Sequence, residues 1–284
     1  LAAGYGSVDW TDGERPENKL EKLIIATVMP SRDSPANTAA PDDTVMQAPA
    51  TFEARAAAIE HYVQRMAHRF SCPAPALSQA SKRPSGTCVL ITGASGSLGA
   101  HLVSNFAERD DVRSVICLNR PHSGDAQTHQ LKSLISRGIL LSAKGLAKLQ
   151  TLEGDMTQPM LGLPREVYQR LLESVTCIVH NAWTMSAKRP IAGFEAQFEI
   201  MGNLLCMSSE IAALRPRDCK TRFVFVSSIA VVGHYPMWKD TAHVPEERVA
   251  IEAVLPNGYG DAKWACELVL DRTLHKASPT LNMT

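Results

Sequence analysis

From residue 87 onward, short unbroken apolar runs alternate with stretches whose apolar positions recur at helical spacing. The runs near 87–92, 113–118, 149–153, 176–181 and 222–227 predict strands. The segments near 98–109, 126–137, 165–173, 193–213 and 260–275 predict helices. Strands that are apolar on both faces must be covered on both faces, which is the condition of a parallel sheet wrapped by crossover helices. The tail Leu281-Asn282-Met283-Thr284 reads as a sixth strand cut off as it starts. Upstream, TFEARAAAIEHYVQRMAHRF predicts a helix capped by Thr51, with Ala58, Ile59, Tyr62, Val63 and Met66 as its apolar stripe. Pro73, Pro75, Pro84 and Gly86 then lead into the first strand.

Residues 1–30 are mixed, with one short amphipathic piece at 20–25, and residues 31–50, rich in Ser, Pro, Ala, Asp and Thr, read as a linker. The expected organisation is an interdomain segment and linker at 1–50, a helix with its lead-in at 51–86, and an α/β domain at 87–284. The first residues lack both an initiator Met and the layout of a signal peptide, so they read as an internal cut in a longer polypeptide.

Composition narrows the partners. The chain has 284 residues, 45% of them hydrophobic, enough for one large domain with extensions. Lys+Arg and Asp+Glu both number 29, which argues against nucleic acid or an anionic membrane as the main partner. No apolar run approaches the roughly 18 residues that cross a bilayer. Seven cysteines occur without a CxxC pair, so neither structural zinc nor a redox motif is expected. Cys88, Cys117 and Cys177 fall inside predicted strands and read as small core residues, which fits a reducing, cytoplasmic setting.

Candidate chemistry begins where the first strand breaks into Thr92-Gly93-Ala94-Ser95-Gly96-Ser97-Leu98-Gly99. Gly93 permits a tight turn, Gly96 lets a pyrophosphate approach the backbone, and Gly99 lets the new helix pack closely on the sheet. The helix N–H groups then face the anion. Arg120 follows the second strand, 21 positions after Gly99, where such a fold meets the adenosine ribose. An acid there would repel a 2′-phosphate, whereas Arg pairs with it, so NADP is expected over NAD. Gly154-Asp155-Met156 closes the third strand and can line an adenine slot, either through Asp155 or with that residue serving only as a turn. Asn181 and Ala182, at the end of the fourth strand, are placed to line the cofactor, while His180 reads as a buried structural histidine.

The fifth strand runs into Ser227-Ser228, and Gly258-Tyr259-Gly260-Asp261-Ala262-Lys263 opens a helix. Tyr259 and Lys263, four apart, share one helix face. An ammonium beside a phenol favours the phenolate, making Tyr259 a usable proton donor to an oxyanion created by hydride arrival. A Ser hydroxyl at the strand end can hold the reacting carbonyl oxygen.

Together these stretches carry a resemblance. TGASGSLGAHLV, VICLNRP, LEGDMTQPMLGLP, IVHNAWTM, FEAQF, FVFVSSIAVVG and NGYGDAKWACE resemble an extended short-chain dehydrogenase/reductase. More closely, they are similar to the thioester reductase (R) domains that terminate fungal polyketide synthases and NRPS-like enzymes. The resemblance implies a Rossmann-type doubly wound parallel sheet and a catalytic set of Ser228, Tyr259 and Lys263. It implies NADPH held by Gly93, Ser95, Gly96, Ser97, Leu98, Gly99, Arg120, Asp155, Met156, Asn181, Ala182, Tyr259 and Lys263. The implied substrate is an acyl chain on the phosphopantetheine arm of an upstream carrier domain, released as an aldehyde, with a second reduction to the alcohol left open. It also implies a C-terminal substrate subdomain absent from these residues, hence weak activity for this length of chain, and a monomer when excised. Many relatives carry an Asn on the helix after the fourth strand, and Glu199 stands near that position, so a four-residue proton relay is not carried over. The residues by themselves also fit a stand-alone reductase or epimerase acting on a soluble carbonyl or nucleotide-sugar, or a non-catalytic module that keeps the fold.

Overall fold

A computed structural model describes residues 5–11, 23–28, 51–70, 85–186, 188–215, 219, 221–241, 243–275 and 281–282. Strands β1 (Tyr5–Thr11) and β2 (Leu23–Val28) pair antiparallel in a small unit of their own. The amphipathic piece at 20–25 thus overlaps a strand, and the second strand of the pair went unread in the sequence. The linker at 31–50 lies outside the described residues.

The larger unit opens with α1 (Phe52–Phe70), followed by β3 (Thr87–Thr92), α2 (Ser97–Glu108) and β4 (Val112–Asn119). Next come α3 (Ala126–Ile135), a short α4 (Ala143–Ala147), β5 (Leu149–Glu153) and α5 (Arg165–Ser174). Strand β6 (Cys177–His180), α6 (Glu195–Leu214) and β7 (Thr221–Phe225) continue the alternation. The chain then forms α7 (Tyr235–Lys239), α8 (Gly258–Leu270) with a π-helical turn at Asp271–His275, and β8 (Leu281–Asn282). All five predicted strands and all five predicted helices are present. The short α4 and α7 are additions, too brief to announce themselves by periodicity.

Six strands pair in the order β5-β4-β3-β6-β7-β8, every pair parallel. The order reverses between β3 and β6, and doubly wound sheets bind ligands in the crevice at such a switch point. Both faces are covered, as the unbroken apolar strands require. Val89, Ile91, Val115, Cys117 and Val179 join Ala100, Val103 and Ala107 of α2 in one core. Leu90, Ile116, Leu118, Ile178 and Phe223 point the other way, into a core with α5, α6 and α8.

Helix α1 belongs to that second core. The Thr51 hydroxyl accepts from the Ala54 amide at 3.2 Å, as the capping pattern predicts. Ile59, Val63 and Met66 are buried, and the helix packs on α6 and α8. Three buried side chains of this size stabilise the docking by on the order of 5 kcal/mol.

Candidate active site

The glycine turn is built by close backbone packing. Gly93 has φ +67°, and a Cβ there would lie 2.8 Å from the Ala182 Cα. At Gly99 a Cβ would stand 2.0 Å from the Gly93 carbonyl oxygen, so any side chain would push α2 off the turn. Gly96 caps α2 without a side-chain hydrogen bond, and a Cβ there would approach only the Gly93 oxygen, at 3.3 Å. The helix start therefore keeps its N–H groups uncapped beside exposed Gly96, Ser97 and Leu98, a cradle that fits a pyrophosphate.

Buried amides hold this turn in place. Ser95 N–H donates to Asn119 Oδ1 (3.2 Å), Asn119 Nδ2 to Gln130 Oε1 (2.9 Å), and Gln130 Nε2 to the Ala94 carbonyl (3.1 Å). The Ser133 hydroxyl donates to the Ser95 carbonyl at 2.6 Å. Asn119 and Gln130 were missed in the sequence, because an amide two elements away carries no local signal.

Arg120 is exposed directly after β4, on the carboxyl edge of the sheet. Asp155 is exposed too, but its carboxylate accepts from the Thr157 amide (3.1 Å) and hydroxyl (2.6 Å), which hold it below the usual carboxylate range. It closes a turn, the plainer of the two roles expected for it. Met156 is buried, and its carbonyl accepts from Asn203 Nδ2 at 2.9 Å. Asn181 donates from Nδ2 to the Gly93 carbonyl at 3.2 Å, tying the end of β6 to the glycine turn. The Asn181 and Ala182 amides both donate to Thr92 Oγ1, at 3.1 and 3.0 Å. That hydroxyl must then give its own proton to His180 Nδ1, 2.9 Å away, which puts the ring proton on Nε2. Burial, reinforced by the Lys263 charge, pushes the His180 pKa down to about 3, so this histidine is neutral, as expected of a core residue.

At the other side of the crevice, the fifth-strand serines separate. Ser227 donates its hydroxyl to the Glu267 carboxylate. Ser228 instead caps the 3-10 turn Ile229–Val231, its Oγ accepting from the Ala230 amide at 3.1 Å. That bond uses an acceptor lone pair and leaves the Ser228 proton free to donate.

Asn257 caps α8 by accepting from the Gly260 amide at 2.8 Å, which sets Tyr259 and Lys263 on successive turns. The Tyr259 hydroxyl donates to the thioether sulfur of exposed Met185 at 3.3 Å, a weak bond that a better acceptor can displace. Lys263 is 2% exposed, and its Nζ donates to the Val226 carbonyl at 2.5 Å. The ammonium also lies 3.9 Å from the Trp183 ring centroid and 4.5 Å from that of Phe225. Burial brings its pKa from 10.5 to about 8, with Cys266 and Glu267 pushing weakly upward. Trp183 and Phe225 thus hold the cation where, among the described residues, no carboxylate is bonded to it. They sit in the quoted IVHNAWTM and FVFVSS stretches, but nothing in their spacing announced the role. A cleft of about 400 Å³ opens beside Ser228, lined also by Val231, Val232, Glu267 and residues 245–249.

Glu199 does not face this crevice. It pairs with Arg69 and Arg65 of α1, while Asn203, one turn later, is buried with its amide on the Met156 and Gln158 carbonyls. Among the described residues no cluster could hold a metal ion, and no helix is long and apolar enough to cross a membrane.

A family model described as "male sterility protein", an NAD-binding domain, matches residues 91–281, well over half of the chain. The chain belongs to this family of NAD-binding domains. Within the family its similar relatives are fungal. It is 48% identical over 276 residues to the non-reducing polyketide synthase pigA of Monascus ruber, covering 96% of this chain and 10% of the relative. It is 49% identical over 278 residues to the non-reducing polyketide synthase dbaI of Emericella nidulans, covering 97% of this chain and again 10% of the relative. The 3-methylorcinaldehyde synthase tropA of Talaromyces stipitatus is 45% identical over 275 residues. The chain thus spans about a tenth of the length of these curated relatives.

The fold is that of the terminal R domain from the myxalamid PKS-NRPS pathway, with TM-score 0.59 and 22% identity over 78% of this chain and 54% of that one. A reductase (R) domain of a nonribosomal peptide synthetase from Mycobacterium tuberculosis gives TM-score 0.50 and 26% identity, covering 79% of this chain and 53% of that one. The resemblance drawn from the motifs is borne out: the sheet is that of R domains, and the relatives are fungal polyketide synthases.

Proposed function

We propose that this chain is the NADPH-dependent reductase region of a fungal polyketide synthase, releasing a carrier-bound acyl thioester as an aldehyde. The observation that supports this reading is that Lys263, buried on the helix of Tyr259, donates to the Val226 carbonyl, two residues before Ser228, at the carboxyl end of a strand in a sheet whose glycine turn fits a dinucleotide. The name of one relative, 3-methylorcinaldehyde synthase, supports an aldehyde product.

The glycine turn would hold the pyrophosphate, and Arg120, exposed and without a hydrogen bond or ion pair among the described residues, would take the 2′-phosphate. When bound, NADPH supplies the hydride for the thioester carbon. The chain's own residues manage the oxygen. Ser228 donates its free proton to the carbonyl oxygen, and Tyr259, once turned from Met185, donates to the same atom as charge develops there. Lys263 keeps a positive charge one helical turn from the phenol, favouring release of the Tyr259 proton to the oxyanion. The thiohemiacetal so formed collapses by breaking its C–S bond, giving aldehyde and the free carrier thiol. The cleft beside Ser228 gives the acyl arm a place to enter.

The test is Tyr259→Phe in the full-length synthase, following NADPH oxidation and aldehyde release with pantetheine thioesters. NADPH binding should persist while thioester reduction is lost. Turnover at the wild-type rate would remove Tyr259 from this role.

A further inference from the structure

We propose that Arg55 of α1 is a positioning residue for the reaction, fixing the helix of Tyr259 and Lys263 against the turn that carries Ser228. The proposal rests on the reading that these three residues do the chemistry. It concerns a helix outside the matched family region of residues 91–281.

The Arg55 guanidinium holds two parts of the site at once. Its Nε and Nη2 donate to Asp261 Oδ1 at 2.9 and 2.5 Å. Nη2 also reaches the Leu255 and Val254 carbonyls at 3.2 and 3.3 Å. Asp261 lies two residues from both Tyr259 and Lys263, so it projects from the opposite side of α8. Arg55 therefore grips the catalytic helix from behind. The segment it grips beside the helix reaches forward: Leu255 N–H donates to the Ala230 carbonyl at 2.9 Å. Ala230 N–H in turn donates to Ser228 Oγ at 3.1 Å.

These parts meet with no slack. A Cβ on Gly260 would lie 2.9 Å from the Leu255 oxygen and 3.4 Å from the Ala230 oxygen, so three backbone segments converge there. A shift of the helix start would be felt at Ser228.

The grip is anchored and desolvated. Helix α1 is pinned by buried Ile59, Val63 and Met66 and by the Glu60–Arg272 ion pair. The paired side chains are 11% and 7% exposed. Burial raises the Asp261 carboxyl and Arg55 opposes that rise, so the carboxylate depends on the guanidinium beside it. Buried pairs of this kind are weak sources of stability but can fix one geometry among several. Here the geometry fixed is the placement of two hydroxyls on one carbonyl oxygen, where a misplacement of about 1 Å can lower the rate by ~100-fold.

The experiment measures kcat, KM for a pantetheine thioester, and the NADPH dissociation constant by fluorescence, all in the full-length synthase. The variants are Arg55→Met, Arg55→Lys, Asp261→Asn and the double variant Arg55→Met/Asp261→Asn, with Tyr259→Phe alongside. Arg55→Met should lower kcat by about 10- to 100-fold, leaving NADPH affinity within about twofold. The double variant should lose no more than Arg55→Met alone, because the pair acts as a unit. Arg55→Lys keeps the charge beside Asp261 but cannot also hold both carbonyls, so it should fold and lose about tenfold in kcat. Wild-type kcat in Arg55→Lys and Arg55→Met overturns the proposal. So does an equal loss of kcat and NADPH affinity, or a failure of even Arg55→Lys to fold, since each would mean a merely structural contact. If Tyr259→Phe turns over normally, the catalytic reading itself has failed. If only the Arg55 variants are normal, that reading stands and the positioning role falls.

Discussion

Lys263→Met should make the protein more stable while abolishing its reaction. The ammonium is 2% exposed, and its pKa falls from 10.5 to about 8. A fall of that size means that keeping the charge buried at pH 7 costs ~3 kcal/mol relative to the unfolded chain. Met has nearly the same length and no charge, so that penalty disappears. Against the gain stands the Val226 carbonyl, left without its 2.5 Å donor, at about 1–2 kcal/mol. The net expectation is a stabilisation of ~1–2 kcal/mol at pH 7, read as a higher urea midpoint at unchanged slope. The pH dependence supplies a second check. Between pH 8 and 10.5 the unfolded chain holds the Lys263 proton while the folded protein has released it, so wild-type stability rises with pH across that window. In Lys263→Met this contribution is absent, so the variant's advantage should shrink as pH climbs and reverse by about pH 10, where wild type has shed most of its penalty while the variant's Val226 carbonyl still lacks a donor. A variant less stable than wild type at pH 7, by a margin that stays constant up to pH 10, would refute the reasoning. Trp183 and Phe225 would then be holding the charge well enough to offset its desolvation.

Other consequences follow from the same geometry. Arg120→Ala should weaken NADPH far more than NADH in equilibrium binding, and equal losses would defeat the 2′-phosphate assignment. Gly99→Ala, with its Cβ aimed at the Gly93 oxygen 2.0 Å away, should destabilise the fold by ~2–3 kcal/mol and lower cofactor affinity, as thermal shift with and without NADPH would report. His180, held neutral with a pKa near 3, should show ring nitrogen shifts that are flat from pH 5 to 9. Because the unfolded chain takes up that proton below about pH 6.5 and the folded protein does not, His180 should withdraw stability as pH falls towards 3. Titration of its ring near pH 6.5 would show that the site is wetter than this packing allows.

Much of this protein is legible along the chain. The apolar runs at 87–92 and 113–118 gave their strands to within a residue, because parallel strands buried on both faces leave no choice of pattern. The glycines at 93 and 99 were legible for a similar reason: steric exclusion acts on one residue at a time. The β1–β2 pair was not read, and neither was the choice of α1 to dock on α6 and α8, since an apolar stripe says that a helix has a partner and not which one. The different partners of Ser227 and Ser228, the Glu267 carboxylate and the Ala230 amide, could not be read from their adjacent places in the chain. The sequence by itself determined the strands, the glycine turn and the placing of Tyr259 and Lys263 on successive turns of one helix, all set by residues close together in the chain. Tertiary structure alone decided what surrounds them: the rings of Trp183 and Phe225 on the ammonium, and Arg55 gripping Asp261 from 206 residues away. Burial and charge pairing depend on what the whole fold brings near a group, and local spacing does not record that.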